Sequence, residues 1–189
     1  MKWVTDDKTR VYVFSQSHIG GLLPSAFTPE LETIKKKVEL ATGNVFNAVL
    51  INKYESGEDK IAWHSDNDAW CGEKFIVPSL SFGVTRKFQL RRKKDHKNKV
   101  SYDLPSGSLI VMKDECQTEL EHAILPQKKV IGVRYNLTFR NIIPTVPGRK
   151  ASHTWEKLKK RQHNFSDYQQ TVKNKTSSRI YTDLNHIFH

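Results

Sequence analysis

The sequence predicts a mainly β domain of the sandwich or jelly-roll class with flanking helices, and three observations carry that prediction. Seven short runs of β character, broken by turn residues, follow one another between Asn44 and Phe139. One capped amphipathic stretch precedes them. The composition, 37% hydrophobic and 27% charged over 189 residues, suits one well-cored globular domain with an appendage.

The elements follow in order. Met1-Lys2-Trp3-Val4-Thr5-Asp6-Asp7 carries acidic residues where a secretory leader needs an apolar stretch, so the expected setting is intracellular, cytoplasm or nucleus. Thr28-Pro29-Glu30-Leu31 places a capping hydroxyl before a proline at the first helical position. Leu31, Ile34, Val38 and Ala41 then recur at helical spacing until Gly43, which predicts a helix of about four turns. The β runs are Val45–Tyr54, Lys60–His64, Phe75–Phe82, Lys87–Arg91, Ser108–Met112, Lys129–Val133 and Tyr135–Phe139. After Pro147-Gly148 the composition turns to Lys, Asn, Gln and Ser, so residues 1–147 are expected to form the domain and 148–189 a basic tail, part helical around Thr154–Gln162. No apolar run reaches the length of a membrane span.

Charge narrows the partners. A net charge of +11 and a pI of about 9.6 favour a polyanion, through long-range attraction and counterion release. The two cysteines, Cys71 and Cys116, lack a CxxC partner, which excludes a disulfide framework and a zinc knuckle.

His64-Ser65-Asp66 ends a β run, and alternation along an extended chain points positions i and i+2 to one side. With His122 from a distant strand end, an imidazole pair and a carboxylate can share one cation and leave three coordination positions open, as non-haem iron(II) oxygenases require. A lone His-x-Asp tripeptide is common and also reads as a satisfied structural pair near a turn. The stretch Arg134-Tyr135-Asn136-Leu137-Thr138-Phe139-Arg140 adds weight: it places Arg134, Asn136, Thr138 and Arg140 on one strand face. Two guanidiniums beside an apolar core need anions, and a dicarboxylate supplies them.

With these residues in hand, the sequence resembles the AlkB family of Fe(II)/2-oxoglutarate-dependent dioxygenases over about Tyr12–Ile143. The densest matches are Leu50-Ile51-Asn52-Lys53-Tyr54, His64-Ser65-Asp66, Ser79-Leu80-Ser81-Phe82-Gly83, Pro105-Ser106-Gly107-Ser108-Leu109, His122, and Arg134 through Arg140. The resemblance implies a double-stranded β-helix, a jelly roll with helices on one side. It implies that His64, Asp66 and His122 hold the catalytic iron and that Arg134 pairs with the distal carboxylate of 2-oxoglutarate. Arg140 would lie near the C1 carboxylate and Asp66, and Asn52, Tyr54 and Asn136 would add polar contacts. The implied reaction is oxidative demethylation of N-alkylated bases of the 1-methyladenine and 3-methylcytosine type. It consumes O2 and 2-oxoglutarate, yields succinate and formaldehyde, and is assayed with ascorbate.

On the substrate side the resemblance points to Tyr12 and Phe14 as aromatic contacts to a flipped base, although both also read as core positions of an edge strand. Asp68 matches an acidic position facing the damaged base, with a turn-former in Asn67-Asp68 as the alternative. Arg86-Lys87 and the run Arg91, Arg92, Lys93 and Lys94 would ride on phosphates, with a solvated loop as the alternative. Trp63 reads as core-facing. Only eleven residues precede Tyr12, so the N-terminal lid of longer relatives is expected to be missing. The expected partner is therefore alkylated DNA or RNA, single strands before duplex, met by a monomer away from membranes. The rival readings are a nucleic-acid-binding module of the same fold without catalysis, and an oxygenase acting on protein or lipid.

Overall fold

A computed structural model describes residues 1–7, 22–66, 76–142 and 181–183. The helix stands where the capping signals put it: α1 spans Pro29–Thr42, the Thr28 hydroxyl accepts from the Leu31 N–H, and Gly43 closes it at φ 70° with its N–H on the Glu39 carbonyl. That left-handed cap costs least at glycine. The strands are β1 (Lys2–Thr5), β2 (Pro24–Ser25), β3 (Ala48–Tyr54), β4 (Ile61–His64), β5 (Val77–Gly83), β6 (Arg86–Arg92), β7 (Asp95–Leu104), β8 (Leu109–Met112), β9 (Leu120–Ile124), β10 (Arg134–Arg140) and β11 (Tyr181–Asp183), with a short helix α2 (Asp114–Thr118) between β8 and β9.

They form a seven-stranded sheet in the order β11-β8-β5-β10-β3-β1-β2 and a four-stranded sheet in the order β4-β9-β6-β7. This is the expected mainly β jelly-roll architecture. Two apolar layers hold it. Tyr54, Val77, Ile110 and Met112 of the large sheet cluster with Phe88, Leu90, Leu104, Leu120 and Ile124 of the small one. On the other face of the large sheet, Val49, Leu137 and Phe139 pack with Val38, Leu31 and Ile34 of α1. Burial of this kind stabilises by roughly 25 cal/mol per Å² of apolar surface. The alternation of β10 is what serves both layers: Leu137 and Phe139 face the helix, while Asn136, Thr138 and Arg140 face the space between the sheets.

Two expectations change. Lys129–Val133 is not a strand: Gly132 sits at φ 120°, Ile131 is 91% exposed, and the backbone bonds locally, Val130 N–H to Gln127 O and Gly57 N–H to Val130 O. The β-branched residues there favour strand locally, and the turn overrides them. The charged run after Arg92 is not a loop throughout, because Asp95–Leu104 forms the edge strand β7. The segment 148–189 contains one described element, β11, which pairs in parallel with Leu109–Val111 of β8; Thr154–Gln162 lies outside the described residues. Among the described residues no helix is long and apolar enough to cross a membrane.

Candidate metal centre and cosubstrate pocket

β4 and β9 pair antiparallel with His64 directly opposite His122, so the ladder itself brings two imidazoles together at 4.3 Å between ring centroids. A register shift between Ile61 and His64 matters here. It lets Ile61 and His64, three residues apart, both face the space between the sheets. Asp66 lies just past the end of β4, with Oδ1 3.9 Å from His64 Nε2 and Oδ2 3.9 Å from His122 Nε2. The three ligand atoms fall within 4.8 Å of one another, a span one cation can bridge.

The surrounding groups prepare each ligand. His64 Nδ1 lies 2.8 Å from the Ala62 carbonyl, which requires the proton on Nδ1 and leaves the Nε2 lone pair for a metal. Asp66 is held by Arg140, whose Nη2 donates to Oδ1 at 2.9 Å. Burial pushes the Asp66 carboxyl up, but Arg140 and the two histidines outweigh it and hold the pKa below its ordinary value. His122, stacked on Phe88 at 5.3 Å, is lowered to about 4, chiefly by burial and against the pull of Asp66. It is therefore neutral, as a ligand must be.

The His122 shift has a stability consequence in the metal-free protein. The unfolded chain takes this proton near pH 6.5 and the folded one only near pH 4, so the unfolded state binds more protons between them. Stability is expected to fall as pH drops from about 6.5 towards 4. Thermal unfolding of the apo protein across that range, beside His122→Phe, should show a shallower acid loss in the variant; identical profiles would contradict it.

Next to the ligands, β10 pairs with β3 on one side and β5 on the other. The register sets Arg134 opposite Tyr54 and Asn136 opposite both Asn52 and Ser81. Arg134 is fully buried, and its Nη2 donates to Ser81 Oγ at 2.8 Å and to Asn136 Oδ1 at 3.0 Å. Its Nε and Nη1, like Asn52 Oδ1, are buried with no hydrogen-bond partner among the described residues. A cavity of ≈ 530 Å³, counting the space at its mouth, runs from this cluster to the ligands; Asn52, Tyr54, Asn136 and Arg140 line it together with His64, Asp66 and His122. Arg134 is buried beside this wall, its guanidinium carbon 5.0 Å from the Tyr54 ring centroid.

The family model for the 2OG-Fe(II) oxygenase superfamily matches residues 1–140. The chain belongs to this superfamily. Within it the relatives are of the AlkB family, and the chain is a member. It is 39% identical over 132 residues to the DNA oxidative demethylase ALKBH2 of Bos taurus, covering 66% of this chain and 47% of that protein. It is 34% identical over 128 residues to the alpha-ketoglutarate-dependent dioxygenase alkB homolog 3 of Homo sapiens, covering 64% and 45%. The chain thus spans about half the length of these relatives. The solved structure of OsALKBH1 superposes with a TM-score of 0.51 at 21% identity, over 64% of this chain and 67% of that one, a likeness of fold.

The cofactor set of the superfamily is iron(II) and 2-oxoglutarate, with O2. This AlkB-family chain fits it on two counts: a histidine pair with an ionised carboxylate, and buried guanidinium N–H groups with no acceptor among the described residues.

Other candidate residues of the AlkB-family chain fall differently. Tyr12, Phe14 and Asp68 lie outside the described residues, as do Trp70 and Cys71. Arg91 pairs with Glu121, and its guanidinium lies 4.0 Å over the Trp63 ring, with Lys99 Nζ at 5.9 Å. Trp63 is thus not core-facing, because the shift in β4 turns it to the side of the sheet that carries Arg91 and Lys99. Arg92 ends β6, Lys93 and Lys94 form the turn, and Lys93 Nζ donates to the Gln117 carbonyl at 2.7 Å.

Arg86 does not ride on phosphates. It is fully buried and donates to the carbonyls of Ser56, Asp59 and Leu125 and to Gln127 Oε1, tying two loops together beneath Tyr54. Ser79, Ser81 and Gln117 were not foreseen as site residues. The alternation Ser79-Leu80-Ser81 carries a signal for the two serines; Gln117 sits in a stretch without periodicity and carries none.

Proposed function

We propose that this AlkB-family chain oxidatively demethylates N-alkylated nucleic-acid bases of the 1-methyladenine and 3-methylcytosine type, consuming O2 and 2-oxoglutarate and releasing succinate, CO2 and formaldehyde. The observation that carries the reading is the His64, Asp66 and His122 cluster beside a buried arginine with two nitrogens that have no hydrogen-bond partner among the described residues. The nucleic-acid part is supported by the name of the ALKBH2 relatives, DNA oxidative demethylase, and by the net charge of +11.

Bound iron(II) and 2-oxoglutarate supply the oxidising chemistry; the chain's residues bind, orient and exclude water. Arg134 would hold the distal carboxylate of 2-oxoglutarate, helped by Asn52, Tyr54 and Asn136. Arg140 keeps Asp66 ionised and would hold the C1 carboxylate. Leu50, Ile61, Phe88, Met112 and Ile124 give the cavity its apolar wall, which limits water around the reacting carbon. Tyr12 and Phe14 stack on the extruded base, and the Asp68 carboxylate attracts its positive charge. Single strands are the better substrate, since extrusion costs least there.

A panel of methylated single- and double-stranded DNA and RNA oligonucleotides, followed by mass spectrometry with iron, ascorbate and 2-oxoglutarate, tests this reading. Demethylation with formaldehyde release supports it. Succinate formation that no oligonucleotide stimulates would redirect the search to a protein or lipid substrate.

The basic hairpin gives a further expected result. Neutralising Arg91, Arg92, Lys93 and Lys94 together should weaken binding of all sequences alike and flatten its log-log salt dependence by up to about four units, one per phosphate contact. The internal bonds of Arg91 to Glu121 and Lys93 to Gln117 put the figure below that ceiling. Fluorescence anisotropy at several salt concentrations measures it, and an unchanged slope would mean that the hairpin is only a solvated turn.

A further inference from the structure

The metal-binding residue is tied to the protein through its backbone as well as through its side chain. Asp66 lies two residues past the end of β4, beyond the His64–His122 pair that ends the β4–β9 ladder. Its backbone N–H is taken by the side chain of Gln117 on α2, which accepts at 2.8 Å in a fully buried bond. Ser65 adds a second link to the same connection, its hydroxyl donating to the Leu120 carbonyl at 3.1 Å. α2 is itself held from the far side by Lys93, whose Nζ reaches the Gln117 carbonyl at 2.7 Å.

Gln117 is 3% exposed, yet its Nε2 has no hydrogen-bond partner among the described residues. A buried amide with an unmet donor lowers stability, and an apolar side chain of the same length would avoid that loss. Packing therefore does not account for an amide at this place, whereas the bond to Asp66 does.

We infer that Gln117 is a positioning residue for the metal-binding carboxylate, and that Lys93 fixes the helix from which it acts. The inference rests on the reading of His64, Asp66 and His122 as the metal ligands. Gln117 touches neither metal nor substrate; it substitutes for the missing ladder bond and so sets where the Asp66 backbone, and hence its carboxylate, can stand. Arg140 holds Oδ1 from the opposite side, and the two together leave the carboxylate little freedom.

The test is metal affinity, not turnover. Cobalt(II) is titrated into the apo protein and followed by its visible absorption, for wild type, Gln117→Met, which removes the acceptor at similar length, and Gln117→Glu, which restores an acceptor. Thermal unfolding of each apo protein runs alongside. The expected result is cobalt binding weakened by about 10-fold or more in Gln117→Met, as for other groups that orient metal ligands, with recovery in Gln117→Glu. A purely structural role would move the apo unfolding temperature and leave the cobalt affinity and spectrum alone, and that outcome overturns the inference. Should Gln117→Met fail to fold, Lys93→Met reads the same path from the surface: weaker cobalt binding supports it and unchanged binding overturns it. A wild-type protein that takes up no cobalt would reject the metal reading itself, an outcome distinct from wild type and Gln117→Met binding alike.

Discussion

Alanine at His64, Asp66 or His122 is expected to abolish succinate formation and demethylation together, because a three-ligand site that loses one ligand loses geometry and affinity at once. The three variants should nonetheless differ in stability. Asp66→Ala leaves the Arg140 guanidinium, 2% exposed, without its carboxylate, and breaking such a buried pair from one side costs roughly 3–5 kcal/mol. His64 is the most exposed of the three. His64→Ala should therefore keep an unfolding temperature near wild type while losing all activity, and Asp66→Ala should fall furthest. Iron content, succinate yield and thermal unfolding on the same preparations decide the matter; wild-type iron and succinate in any of the three would remove that residue from the ligand set.

Arg134→Lys is expected to weaken 2-oxoglutarate on the order of 10- to 100-fold while nucleic-acid affinity stays within about twofold, the loss being that of a charged hydrogen bond. The guanidinium spends Nη2 on Ser81 and Asn136 and keeps Nε and Nη1 for a ligand. An ammonium cannot do both, since its three donors radiate from one point and cannot present a fork to a carboxylate. Isothermal titration of 2-oxoglutarate, with anisotropy of a methylated oligonucleotide beside it, separates the two affinities. Equal losses in both would mean that Arg134 supports the sheet and not the cosubstrate.

What could be read from the sequence follows from how local each signal is. α1 was legible to its last residue because Thr28, Pro29 and Gly43 act through bonds within one turn. The face of β10 was legible because strict alternation over seven residues survives in an inner strand paired on both sides. β4 broke the same rule. A shift between Ile61 and His64 inverts the alternation, so Trp63 was assigned to the wrong side although His64 and Asp66 were assigned correctly.

Arg86 was misread for a related reason: charge in a basic stretch suggests the surface, and nothing local reveals that three backbone carbonyls from two distant loops converge on it. β7 was missed because an edge strand can carry charge on most positions, and charge also describes a loop. Gln117 was invisible because its importance comes from a partner 51 residues away.

The β3–β10 ladder makes the cosubstrate end of the pocket a single indexed object. Arg134, Asn136 and Arg140 on one strand and Asn52 and Tyr54 on the next face inward only while their pairing holds in its present register. Inserting or deleting one residue inside β10 would invert the alternation of every position beyond that point, turning its pocket residues outward and their neighbours in. Point changes can therefore tune this end of the pocket, but changes of length there act on every residue beyond them. The tip at Lys93-Lys94 joins β6 to an edge strand, and only its Lys93 half is tied inward, the N–H to the Glu119 carbonyl and Nζ to the Gln117 carbonyl. Extra residues placed beyond Lys93, at Lys94, cost mainly loop closure, which grows slowly with length. Descent with insertions would thus leave the oxidising end constant while the hairpin lengthens or shortens, letting substrate reach diversify without disturbing the chemistry.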